Sequence, residues 1–126
     1  MKVQNYSDLE KFNMMIRQEL THQGGTWSLK TMDWLRHNVS RFDFKETITL
    51  TKLLVEEFLK DNATSITRFK VAQLLSHLCF LKFPFFVESL IPYANDIKRI
   101  IGTRSSDVLW IPTIDLMQSI LSNSKL

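Results

Sequence analysis

Glycine, proline and cysteine are scarce in this chain: three, three and one in 126 residues. So few Gly and Pro exclude a turn-rich β-sandwich or barrel, which needs special turn residues at short intervals. The single cysteine, Cys79, excludes an internal disulfide and points to a reducing compartment. Long apolar runs are missing too. The longest, Leu78 to Val87, is broken by Lys82 and Pro84 and is too short to cross a bilayer. Met1 to Phe12 has no apolar h-region, so the Asn-x-Ser/Thr triplets at Asn5, Asn38 and Asn62 read as chance. These absences set the expectation of a cytoplasmic or nuclear protein with no membrane span. Strong charge of one sign is also lacking. The net charge is +3; residues 1–61 hold nine basic and nine acidic residues, and residues 62–126 hold seven and four. The excess therefore lies in the C-terminal half, where it suits an acidic partner surface better than nucleic acid.

What the chain does have is apolar content. At 44% hydrophobic and 11% aromatic, 126 residues are expected to form one all-α domain over residues 1–126, with the last few frayed. The stretch Ile66 to Leu81 is apolar almost all the way round: Ile66, Phe69, Ala72, Leu75 and Cys79 form one stripe, while Val71, Leu74, Leu78 and Leu81 fill most of the rest. Such a helix is expected at the centre of a bundle, enclosed by its neighbours.

Start and stop signals divide the remainder into about six helices. Ser7 and Glu10 form a capping box ahead of Leu9, Phe12, Ile16 and Leu20, and Gly24-Gly25 ends that helix. Ser28 caps a second helix to about His37 with Leu29, Met32 and Leu35 inward. Asp43 and Glu46 open a third to about Asp61, with Ile48, Val55 and Phe58 on one stripe. Thr64 or Ser65 caps the central helix, and Phe83-Pro84 ends it. A fifth helix spans Pro84 to about Ile101, kinked near Ser89–Ile91 by Pro92, and Gly102 stops it. Ser106 or Asp107 starts a sixth. Short connections and one enclosed helix predict an antiparallel bundle or a short superhelical stack of helix pairs.

Nothing in the pattern specifies chemistry. There is no phosphate loop, and His22, His37 and His77 lie far apart with no ligand spacing. Glu56 and Glu57 point about 100° apart on a helix, and Glu56 is spaced i,i+4 from both Lys52 and Lys60, so the pair reads as a solvated face. No catalytic residue, metal or cofactor is expected. The binding candidates are Lys98, Arg99 and Arg104 around the Gly102 loop, and the aromatic corner Phe83, Phe85 and Phe86, of which one or two must stay exposed. Cations at a helix C-terminus also answer the helix dipole, which is a structural reason for the same residues.

The helix pair around Phe69–Leu81 and Phe85–Ile101, with its internal Leu90-Ile91-Pro92, resembles helical-repeat domains of the HEAT and armadillo kind. Leu90-Ile91-Pro92, followed by Ile97, Ile100, Ile101 and then Asp107 to Leu121, is also similar to the C-terminal helical domain of katanin regulatory subunits. That resemblance covers roughly half the chain, and the family's propeller has no counterpart in it. It implies a regulatory subunit that binds a helical bundle of its catalytic partner and contributes to microtubule association. From the residues themselves, the expectation is a non-enzymatic scaffold that binds a partner protein with an acidic surface. The alternative is a microtubule- or nucleic-acid-associated subunit that uses the same basic face.

Overall fold

The computed structural model describes residues 8–21, 27–38, 41–83, 85–103 and 105–126. Among these, seven α-helices and one 3-10 turn follow in order, with no strand. They are α1 (Asp8–Thr21), α2 (Leu29–Asn38), α3 (Phe44–Leu59), α4 (Ser65–Phe80), α5 (Phe86–Leu90), the 3-10 turn Ile91–Tyr93, α6 (Ala94–Ile101) and α7 (Trp110–Asn123). The fold is all-α. The expected features at Ser7, Gly24-Gly25, Pro84 and Arg104 lie outside the described residues.

The local signals act as their chemistry requires. Ser28 Oγ accepts from the Thr31 amide at 3.2 Å. At α3, Asp43 accepts from the Glu46 amide at 2.8 Å while Glu46 accepts from the Asp43 amide at 3.0 Å, a complete capping box. Thr64 Oγ1 accepts from Thr67 at 3.1 Å and starts α4. Pro92 breaks the expected fifth helix into α5 and α6 across the 3-10 turn. The start of α7 is three residues later than Asp107. The Asp107 side chain accepts from the Leu109 amide at 2.8 Å and its carbonyl from Trp110 at 3.0 Å, so the aspartate closes a turn ahead of the helix.

Helix α4 occupies the centre and packs on α1, α3, α5 and α7. Val71, Ala72, Leu74, Leu75 and Leu78 are fully buried. Like members of successive helix pairs meet: α3 packs on α5, and α4 on α7. Helices α4 and α7 run in the same direction. At their N-terminal ends the Arg68 guanidinium lies 5.8 Å from the Trp110 ring centroid, and at their C-terminal ends Phe80 and Lys82 share a cavity with Asn123 and Ser124.

Two apolar stripes differ from the expected pattern. Leu29 is 81% exposed and Ile48 faces solvent, whereas Thr31, Thr47 and Thr51 are buried. Hydrogen bonds explain two of these threonines. Thr31 Oγ1 donates to Glu19, and Thr51 Oγ1 shares a 2.7 Å bond with buried Ser89 across the α3–α5 contact. The structure offers no partner for the Thr47 hydroxyl.

Both α4 and α7 end in the same six-residue motif. Phe83 N–H reaches Leu78 O and Lys82 N–H reaches Cys79 O; Leu126 N–H reaches Leu121 O and Lys125 N–H reaches Ser122 O. Lys82 (φ 56°) and Lys125 (φ 58°) therefore hold the left-handed position that glycine fills most easily. Lys82→Gly is expected to raise stability by about 0.5–1 kcal/mol through relief of that backbone cost. A urea midpoint unchanged or lowered for the variant contradicts this.

Candidate functional site

One face of α4 stays open. Phe69, Gln73, Ser76, His77 and Phe80 recur at helical spacing, and together with α7 they floor a surface cleft. Its first part, of about 850 Å³, is lined by Trp27, Phe69, His77, Phe80, Pro112 and Leu116 among others. Its second part, of about 630 Å³, is lined by Cys79, Phe80, Phe85, Val87, Ser119 and Asn123 among others. Ser76 and Phe80 line both, so the two parts meet along the α4–α7 seam. Phe80 stands between them, 83% exposed. This corrects the expectation of a fully enclosed central helix. Gln73, Ser76 and His77 interrupt the apolar surface on this one face, and i, i+4, i+7, i+8 spacing was the readable signal.

The aromatic corner divides. Phe83 and Phe86 are buried and hold the core rather than the surface. Phe83 stacks edge-on against Phe42 at 5.4 Å, and Phe42 against Trp34 at 6.0 Å, which ties the corner to α2. Phe85 remains 46% exposed; its φ is 62°, and its ring meets exposed Phe44 edge-on at 5.4 Å. A bulky residue in the left-handed region is a backbone outlier, here pinned by the aromatic pair.

Of the expected basic residues, Lys98 and Arg99 are exposed but engaged, and Arg104 lies outside the described residues. Lys98 Nζ donates to the Leu126 carbonyl at 2.5 Å, which brings α6 to the end of α7. Arg99 lies 3.6 Å from Asp96. Lys82 and Lys125, not singled out in the sequence, are exposed where α4 and α7 end.

A polar cluster supports the other end of the cleft. Lys70 is only 1% exposed. Its ammonium donates to the Glu19 carbonyl near the end of α1 and lies 5.2 Å from the Trp27 ring centroid. Trp27 Nε1 donates to the Lys70 carbonyl at 2.7 Å. The Glu19 carboxylate accepts from Ser28 N at 2.7 Å, from Ser28 Oγ at 2.5 Å and from Thr31 Oγ1, and so caps α2 from α1. Burial pushes the Lys70 ammonium below its usual 10.5, against the pull of the Glu19 charge. Burial pushes the Glu19 carboxyl up, but the Ser28 and Thr31 hydrogen bonds outweigh it, and the net shift is down from 4.5. Trp27 therefore sits at the cleft as a fixed wall.

His77 lines the cleft with its Nε2 buried and without a hydrogen-bond partner. Burial, reinforced by the Arg36 charge, holds its imidazole below the usual 6.5. Between that lowered value and 6.5 the unfolded chain binds a proton that the folded chain does not, so stability rises with pH there and falls on acidification. His77→Gln is expected to flatten the stability–pH curve just below 6.5, as followed by urea denaturation. An unchanged slope contradicts the assignment.

Among the described residues no group of three His, Cys, Asp or Glu is placed to hold a metal ion, and no helix is long and apolar enough to cross a membrane. No family model, curated protein or solved structure matches this chain.

Proposed function

We propose that this chain is a non-enzymatic interaction module on which a segment of a partner protein docks along the α4–α7 seam, anchored by Phe80. The observation that carries this reading is one side chain. Phe80 is 83% exposed between two joined cavities, on the one open face of the central helix. A large exposed aromatic at the centre of an apolar cleft is the kind of residue that anchors protein interfaces. The parallel packing of α4 on α7, with α3 on α5, supports a stack of helix pairs of the HEAT or armadillo kind. A regulatory role in the cytoplasm or nucleus fits such a module.

Engagement of Lys98 and Arg99 within the chain favours a protein partner over a microtubule lattice or nucleic acid, which needs a free basic stripe. Steep loss of binding between low and physiological salt would instead favour the polyanion. The test is co-purification from cell extract with wild type, Phe80→Ser and the exposed control Ile111→Ser, each checked by thermal melting. A protein retained by wild type and Ile111→Ser but lost by Phe80→Ser is the expected result. Equal retention by all three removes the seam as the docking surface.

A further inference from the structure

We infer that the end of the seam where α4 and α7 terminate takes an acidic amphipathic segment of the partner. One large apolar side chain seats between Phe80 and Phe85, and flanking carboxylates face Lys82 and Lys125. This rests on the interaction-module reading and adds the chemistry of the occupant.

Parallel packing brings two helix C-termini together at this place. Each carries roughly half a negative charge from the helix dipole, which on its own disfavours an anion. The chain reverses that sign. Lys82 follows α4 and Lys125 follows α7, and both are exposed. Their backbone conformation is one glycine serves best, so lysine there adds two ammonium groups that the turn itself does not need. Lys82 lines the 630 Å³ cavity, and Lys125 adjoins Ser124, which also lines it. Lys98, already bonded to Leu126, adds a third cation at this end. Glu88 is the one carboxylate among the lining residues. Within the lining Lys82 and Glu88 balance; Lys125 and the bonded Lys98 beside it, set against the two helix ends, tip this end of the seam positive.

The apolar floor lies at that positive end. Phe80, Phe85, Val87 and Cys79 line it, and the Phe44 contact fixes the outward set of Phe85. The volume lies in the range of sites that seat a few large groups. A positive end beside an aromatic floor matches an apolar anchor flanked by carboxylates, with charge setting register and on-rate.

The probes are two synthetic peptides of about 14 residues, roughly four helical turns. Both carry Leu and Phe at i, i+3, i+4 and i+7; one has Glu at the remaining positions and the other Lys. Binding is read by fluorescence anisotropy at about 50 and about 300 mM NaCl. The acidic peptide is expected to bind about tenfold tighter at low salt, with the gap closing at high salt. Lys82→Glu with Lys125→Glu should abolish the preference. Lys82→Gly with Lys125→Gly should weaken the acidic peptide about threefold while melting no lower than wild type, which separates charge from folding. Phe80→Ser should lose the peptide altogether. Absence of acidic-peptide binding, equal or tighter binding of the basic peptide, or indifference to both lysine pairs overturns the inference. Phe80-dependent binding of the basic peptide overturns the acidic chemistry alone and leaves the interaction reading standing. Peptide binding that Phe80→Ser does not change overturns both.

Discussion

Lys70→Ala is expected to lower the unfolding free energy by about 3 kcal/mol, among the largest effects of any single change. Lys70 is a charged residue inside the central helix, 1% exposed, and it is tolerated because every part of it has a partner. Its ammonium meets the Glu19 carbonyl and the Trp27 ring, and its own carbonyl accepts from Trp27. Truncation removes the ammonium that donates to the Glu19 carbonyl, opens a cavity beside Trp27 and takes away the cation that pairs with the Glu19 charge. Lys70→Met keeps most of the volume and removes the cost of burying a charge, so its loss should be nearer 1 kcal/mol. Urea denaturation at neutral pH orders the two; equal losses would show that the lost ammonium contacts, and not the lost volume, carry the effect.

The alkaline limb gives an independent reading of the same residue. Its folded value lies below 10.5, so between the two the unfolded chain holds a proton the folded chain has released. Stability should rise with pH across that window, and Lys70→Met should flatten the rise. Glu19 acts at the other extreme. Its lowered carboxyl contributes stability that is fully present above 4.5 and lost as pH falls through the folded value.

Phe58→Ala should cost about 4 kcal/mol, a large share of the margin of a domain this size. Phe58 is fully buried on α3, and its ring lies 5.8 Å from the Arg68 guanidinium carbon. On its other side Arg68 meets Trp110 at the same distance. Arg68 also donates to the Phe58 and Lys60 carbonyls at 2.8 Å each, which satisfies acceptors at the end of α3. Phe58 is thus one side of a stack that joins the end of α3 to the starts of α4 and α7. Its loss removes the core ring and one of the two aromatic contacts of the guanidinium. Phe58→Leu, which keeps most of the burial, should cost less than half as much. A melting temperature for Phe58→Ala within a few degrees of wild type contradicts the account.

Helix punctuation was legible because it rests on neighbours in sequence. Ser28, Asp43 with Glu46 and Thr64 cap the helices expected of them, and Pro92 breaks the fifth helix where its missing N–H requires. Orientation was less legible. Leu29 and Ile48 face outward because Thr31 and Thr51 have hydrogen-bond partners inside, and those partners lie on other helices. The buried lysine lacks a local signal for the same reason. Position 70 lies one turn from Ile66 and Leu74, yet only the fold brings the end of α1 within its reach. At the site, composition and clustering mark the aromatic corner and Lys98 as surface candidates. That Phe83 and Phe86 turn inward while Phe80 turns outward depends on how α7 lies along α4, a pairing across about 40 residues with no local signal.

The central claim is that partners meet this chain at Phe80, and site-resolved photo-crosslinking tests it most directly. A benzophenone amino acid placed at position 80, and separately at the exposed control positions 52 and 118, is irradiated in living cells. The account predicts one discrete crosslinked protein from position 80, competed by the acidic peptide, and none from the controls. Crosslinks that form equally at all three positions, or at the controls alone, would contradict it.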